Sequence, residues 1–179
     1  MLKSEYLHLR SLESDDINKT YLDWLNDFLV NQYLETRFLP QTMESLREYW
    51  SAQRDDPRSP WFAICLNSDD RHIGNIKLGP IDVLHRRADL SLFIGDRESW
   101  GKGYATEAIM LISSWSFSVL DLQKLNAGIY SSNVASKRAF EKSGFILEGT
   151  LKEEVFSAGN RIDVLRMGLT RGKWNSGFQ

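Results

Sequence analysis

The stretch from Leu92 to Leu120 constrains this chain more than any other. Leu92-Phe93-Ile94 ends an apolar, strand-like run, and Gly95 to Gly103 is a glycine-rich loop. Beyond it, Ala105, Ala108, Ile109, Ile112 and Trp115 fall on one helical stripe that runs to Leu120. A strand that turns tightly into a long helix is the building unit of α/β proteins. The start of such a helix carries backbone N–H groups without intrahelical acceptors, and the macrodipole makes that end positive. Glycines at 101 and 103 remove the side chains that would hold a ligand off the backbone. Trp100-Gly101-Lys102-Gly103-Tyr104-Ala105 therefore reads as an anion cradle, or as a tight strand-to-helix turn and no more. No Gly-Lys-Ser/Thr ending follows, so it is not a P-loop, and its spacing is not that of a dinucleotide-binding turn.

The remaining elements are consistent with this unit. Tyr6 to Leu12 alternates as a first strand, and Ser14-Asp15-Asp16 signals a helix start. Tyr21, Leu22, Trp24, Leu25, Phe28 and Leu29 make one amphipathic helix, and Thr42 to Gln53 a second. Trp61 to Leu66 and His72 to Leu78 form a hairpin, Ala88 to Ile94 a fourth strand, and Lys124 to Tyr130 a fifth. Asn133 to Ser143 is a helix closed by Gly144, and the strands Phe145 to Phe156 and Arg161 to Leu169 flank a turn at Ala158-Gly159-Asn160. The order β-α-α-β-β-β-α-β-α-β-β predicts one α/β domain over residues 1–179, with a mixed sheet of about seven strands and a frayed tail from 170 to 179.

Charge narrows the function. Lys plus Arg number 22 and Asp plus Glu 24, a balance that excludes a generally basic nucleic-acid-binding surface. No apolar run nears the roughly 20 residues of a membrane span, and Met1-Leu2-Lys3-Ser4-Glu5 is too polar for a signal peptide. A cytoplasmic protein with no membrane and no nucleic-acid partner is expected. The single cysteine, Cys65, lies in an apolar run and reads as core, so no internal disulfide forms. No Cys/His spacing of a zinc site appears, so no metal is expected. His8 and His72 lie within strands and carry no expected catalytic role.

Two motifs carry a resemblance. Trp100 to Ala108, after Leu92-Phe93-Ile94-Gly95-Asp96, resembles the acetyl-CoA motif of GNAT N-acetyltransferases, with Gly103 and Ala105 at its last two positions. Trp100 stands where Gln or Arg is commoner, a variation seen in the N-terminal acetyltransferase branch. Asn133-Val134-Ala135-Ser136 through Glu141-Lys142-Ser143-Gly144-Phe145 resembles the next helix of the same family. The resemblance runs from about His72 to Leu169 and is closest to the ribosomal-protein N-terminal (alanine/serine) acetyltransferases. It implies a GNAT fold with splayed fourth and fifth strands and acetyl-CoA as co-substrate. The acceptor would be a primary amine, either a protein N-terminus or a small molecule such as an amino sugar nucleotide or polyamine. Relatives are often monomers or homodimers, which the resemblance carries over as the expectation for this chain.

The resemblance also assigns residues. Pyrophosphate falls to the backbone of Trp100, Gly101, Lys102, Gly103, Tyr104, Ala105 and Thr106. Pantetheine and the thioester oxygen fall to backbone near Leu92, Phe93 and Ile94, and Asn133, Ser136 and Phe140 complete the CoA side. Phe140 stands where many relatives carry a tyrosine that protonates the leaving thiolate, so that acid is missing. Ser136 is its substitute, or only a first-turn residue of its helix, just as Asn133 is a ligand or only a cap. Asp89 is the candidate base, acting through water, or else a surface carboxylate paired with Arg86 or Arg87. Glu154 is the rival acid, although Val155 occupies the matching position. Trp24, Glu35, Arg37 and Phe38 lie where relatives shape the acceptor pocket; Trp24 and Phe38 read equally as core. A CoA-binding sensor without catalysis is the alternative reading.

Overall fold

The computed structural model describes residues 2–177. Eight strands form one sheet in the order β1-β2-β3-β4-β5-β6-β8-β7. They are β1 Leu2–Lys3, β2 Leu7–Ser11, β3 Trp61–Leu66, β4 His72–Leu78, β5 Arg87–Ile94, β6 Lys124–Tyr130, β7 Ile146–Ser157 and β8 Asn160–Thr170. The helices are α1 Lys19–Asn26, α2 Phe28–Asn31, α3 Met43–Gln53, α4 Tyr104–Ser118, α5 Val134–Lys142 and α6 Arg171–Gly177. The strand beyond the expected seven is the two-residue β1, too short for an alternation to announce, which pairs antiparallel with β2. Among the described residues no helix is long and apolar enough to cross a membrane.

Two departures from the expected elements have local causes. The first amphipathic helix breaks at Asp27. Its backbone is extended and its carboxylate accepts from Leu29 N (2.9 Å), which caps a new helix instead of continuing the old one. Phe28 and Leu29 are consequently exposed rather than core. The expected tail at 170–179 is instead α6 as far as Gly177; residues 178 and 179 lie outside the described residues. Trp174 packs against the core, 6.1 Å between ring centroids from Phe117, and Arg171 pairs with Asp121, giving this short helix a tertiary anchor.

Each face of the sheet has its own core. Leu7, Leu9, Ile76, Leu90 and Leu125 pack with Ile109 and Ile112 of α4 and Phe140 of α5. On the opposite face Ala63 and Cys65 pack with Tyr21 and Leu25 of α1 and Leu46 of α3. The alternation of a strand enforces this division. In β5, Ala88, Leu90, Leu92 and Ile94 join the α4 core while Phe93 joins the other.

Candidate active site

The central feature is a break in the sheet. β5 and β6 are parallel and register only at Arg87↔Lys124, Ala88↔Leu125 and Asp89↔Asn126, after which they diverge. On its other side β5 stays paired with β4 as far as Ile94. The hydrogen bonds Gly79 N to Asp89 O (2.7 Å) and Gly95 N to Ile73 O (2.9 Å) fix the phase of that ladder. Paired residues in an antiparallel ladder direct both backbone groups to one neighbour, alternately along the strand. Asp89, Ser91 and Phe93 therefore face β4, while Leu92 and Ile94 turn their backbone into the gap. Of the three residues expected to hold pantetheine, Leu92 turns its backbone into the gap and Ile94 its N–H, the Ile94 carbonyl being taken by the Trp100 indole. Phe93 does not, because its backbone is committed to β4 and its ring stacks on Tyr21 (5.9 Å).

The glycine loop closes the wide end of the gap. Gly101 (φ 76°) and Gly103 (φ 86°) lie in the left-handed region, and a Cβ on either would meet nothing within 4 Å. The space above them is open to a ligand. Gly103 caps α4 without a side-chain hydrogen bond, and the first N–H of the turn with a partner among the described residues is that of Glu107, which donates to Gly103 O (3.1 Å). The N–H groups of residues 101–106 are thus left for an anion. The Trp100 indole donates to Ile94 O (2.8 Å) and ties the loop to the strand. Asp96 braces it from behind, accepting from Arg71 (2.7 Å) and Ser99 Oγ (2.6 Å).

On α5, Asn133 is the N-cap, accepting from Ser136 N (3.1 Å). The half-buried Ser136 hydroxyl has no hydrogen-bond partner among the described residues. Phe140 is buried, edge-to-face with Phe145 (4.9 Å), and its ring belongs to the core beneath the site.

The residues expected on the acceptor side occupy the face opposite α4. Asp89 pairs with Arg166 of β8 (3.4 Å), not with Arg86 or Arg87, which are held by Asp121 and Asp82. Arg37, only 12% exposed, reaches across the face. It donates to Leu34 O (2.8 Å), Tyr130 Oη (2.9 Å) and Phe156 O (2.9 Å), and lies over the Phe38 ring (4.1 Å). Tyr130 in turn donates to Glu35, whose carboxylate is largely exposed. Burial, and then the Glu35 carboxylate, push the Tyr130 hydroxyl above its usual pKa, so it remains a donor at neutral pH. Phe38 is exposed, whereas Trp24 packs against the core of this face, with its ring against His72 (5.1 Å). A Cβ on Gly95 would overlap the Trp24 ring, so the glycine is required for this close approach. Glu154 is exposed in a bulge of β7 between Leu151 and Val155, with no ion pair among the described residues.

Tyr130, Tyr33 and Arg166 were not foreseen. Tyr33 donates to Ser132 O (3.3 Å) and meets Tyr130 edge-on (6.2 Å). For Tyr130 the only signal was the two-residue period that sets Asn126, Gly128 and Tyr130 against Leu125, Ala127 and Ile129. Arg166 lies over Gly128, where a Cβ would come within 3.3 Å of its Nη1.

Comparison with known proteins bears on this geometry. Residues 6–146 match the family model described as Acetyltransferase (GNAT) domain. The prophage-derived N-acetyltransferase YokL of Bacillus subtilis is 29% identical over 93% of this chain and 91% of its own. The putative ribosomal N-acetyltransferase YdaF of the same organism is 24% identical over 96% and 94%. A crystal structure of spermidine N-acetyltransferase from Vibrio cholerae with CoA and spermine superposes with a TM-score of 0.85, at 28% identity, covering 94% of this chain and 98% of that one.

Proposed function

This chain belongs to the GNAT acetyltransferase family and is an acetyl-CoA-dependent N-acetyltransferase; on that premise we propose that it acetylates a primary amine by direct attack, and that the acceptor is a polar molecule rather than a polycation. The acceptor class is a protein N-terminal α-amine or the amino group of a small molecule such as an amino sugar nucleotide. One observation carries this reading. Two carboxylates of the acceptor face are matched by guanidinium groups, Asp89 by Arg166 and Glu35 by Arg37, and of the candidate acids there only Glu154 has no ion pair among the described residues. A polyamine is recognised by uncompensated negative charge, whereas a paired face suits a neutral or zwitterionic acceptor.

Direct attack fits the chemistry available. The only cysteine is buried in β3, so it offers no acyl-enzyme. Bound acetyl-CoA supplies the activated acyl group. Leu92 and Ile94 orient pantetheine through backbone, the 101–106 amides hold pyrophosphate, and a backbone N–H in the gap donates to the thioester oxygen. The amine adds to the carbonyl carbon, its proton passes through water to Asp89, and the C–S bond breaks with the Ser136 hydroxyl hydrogen-bonded to the departing sulfur. Glu154 is the second candidate base. The chain acts as a monomer or homodimer, unlike the spermidine N-acetyltransferase of Vibrio cholerae, for which a dodecameric structure is known.

Thiol release from acetyl-CoA, followed with peptides beginning in Ala or Ser, an amino sugar nucleotide and spermidine, tests this reading. A peptide or amino sugar should give the highest kcat/KM. Spermidine as the best acceptor sinks the acceptor class, and no thiol release with any amine returns the sensor reading.

A further inference from the structure

His8 and Cys65 are 57 positions apart, yet they face each other across β2 and β3 as a register pair. The turn between β3 and β4 brings Asp70 to the same point. One ligating atom from each of the three lies within 4.8 Å of the others. Both ring nitrogens of His8 are oriented. Asn67 donates its amide nitrogen to Ser4 O (2.9 Å) and Glu5 O (3.0 Å), which leaves its oxygen as an acceptor, 3.1 Å from His8 Nδ1. Both ring nitrogens of His8 thus face acceptors, Nδ1 the Asn67 oxygen and Nε2 the Asp70 carboxylate 2.9 Å away, and a cation bound between Nε2 and Asp70 takes the place of a proton on Nε2 while Nδ1–H keeps Asn67. An imidazole held by an outer acceptor on one nitrogen, with the other facing a carboxylate and a thiol, is the arrangement of a metal-binding histidine.

The setting fits a cation. Cys65 and His8 are buried, which fixes their side chains, while the Asp70 side chain is 76% exposed and leaves an entry path. The Arg10 guanidinium, which also interacts with the Cys65 thiol, has its charge offset by Asp16, whose carboxylate accepts from both terminal nitrogens at 2.7 Å. Sulfur, imidazole nitrogen and carboxylate oxygen together, with a fourth position open to water, match zinc-class ions rather than magnesium or calcium. We propose that His8, Cys65 and Asp70 bind one zinc-class divalent ion through His8 Nε2, Cys65 Sγ and an Asp70 carboxylate oxygen. On binding, the Cys65 thiol releases its proton to solvent and coordinates as thiolate. The site lies on β2, β3 and their neighbouring turn, apart from the β5–β6 gap, and does not depend on the acceptor reading.

Untagged chain is titrated with Zn²⁺ by calorimetry and with Co²⁺ by absorption. One equivalent should bind, and Co²⁺ should show a thiolate charge-transfer band, since the chain has one cysteine. Cys65→Ser should abolish the band. Asp70→Asn, at an exposed turn whose left-handed φ of 59° asparagine accepts, should weaken Zn²⁺ at least tenfold with the fold intact by circular dichroism. The proposal is overturned by failure to bind one equivalent of Zn²⁺, by a cobalt spectrum lacking the thiolate band, or by unchanged affinity in Asp70→Asn.

Discussion

The two halves of the active site are built from different materials. On the proposed reading the cofactor half is backbone: the amides of residues 101–106, the Leu92 backbone and the Ile94 N–H, supplied by one continuous stretch. The acceptor half is side chains drawn from four distant segments, Glu35 and Arg37, Asp89, Tyr130, and Arg166. Backbone recognition suits a ligand that never changes, since it needs only a strand, a tight turn and a helix start. Side-chain recognition is tunable by substitution, so one fold can keep its cosubstrate and change its acceptor.

Six substitutions test that division, taken from the largest effect. Gly95 is where the halves touch, because the Trp24 ring lies against it. Gly95→Ala should destabilise the chain by about 2–3 kcal/mol through overpacking; an unmoved urea midpoint would show that Trp24 yields freely. Ser136→Ala should lower kcat about tenfold to a hundredfold with CoA affinity little changed. If turnover survives intact, Ser136 serves only its helix start. Gly103→Asp puts a carboxylate into open space above the cradle and should weaken acetyl-CoA at least about tenfold, or about 1.4 kcal/mol. Equal affinity by calorimetry removes the loop from the cofactor half.

The smaller effects fall on the acceptor half. An α-amine has a pKa of about 8, so a substantial fraction stays protonated at pH 7. Asp89→Asn should cut the rate severalfold at pH 7 and recover toward wild type at high pH, where solvent supplies the free amine. A parallel profile, merely shifted down at every pH, assigns Asp89 to structure. Glu154→Gln run in the same way tests the rival acid. Tyr130→Phe removes the donor that orients Glu35 and should raise the acceptor KM about threefold while leaving acetyl-CoA binding alone. A change in acetyl-CoA affinity would mean that the halves are not separable.

The same division explains what could be read from the sequence. The limits of β3, β4 and β6 follow from apolar alternation, and the cofactor loop follows because glycines and a helix start are adjacent in the chain. The α1–α2 break escaped because Asp27 interrupts a helical period that Phe28 and Leu29 continue. α6 escaped because its anchor, Trp174 on Phe117, is tertiary. The acceptor half escaped for the same reason. No spacing links Arg37 to Tyr130 and Phe156, or Asp89 to Arg166; only the strand order β5-β6-β8 brings them to one face. His8 and Cys65 meet by register alone.

The seam between β5 and β6, three register pairs wide, divides the sheet into two blocks that a filled gap would rivet together. With the gap empty, the amides of Leu92 and Ile94 should trade protons with solvent readily; with pantetheine in place they should become slow. The cosubstrate then behaves as a missing strand that arrives and departs once per turnover. Its occupancy raises the melting temperature with concentration, as any ligand of the native state does. The protein is accordingly least cooperative in the interval after CoA leaves and before acetyl-CoA returns.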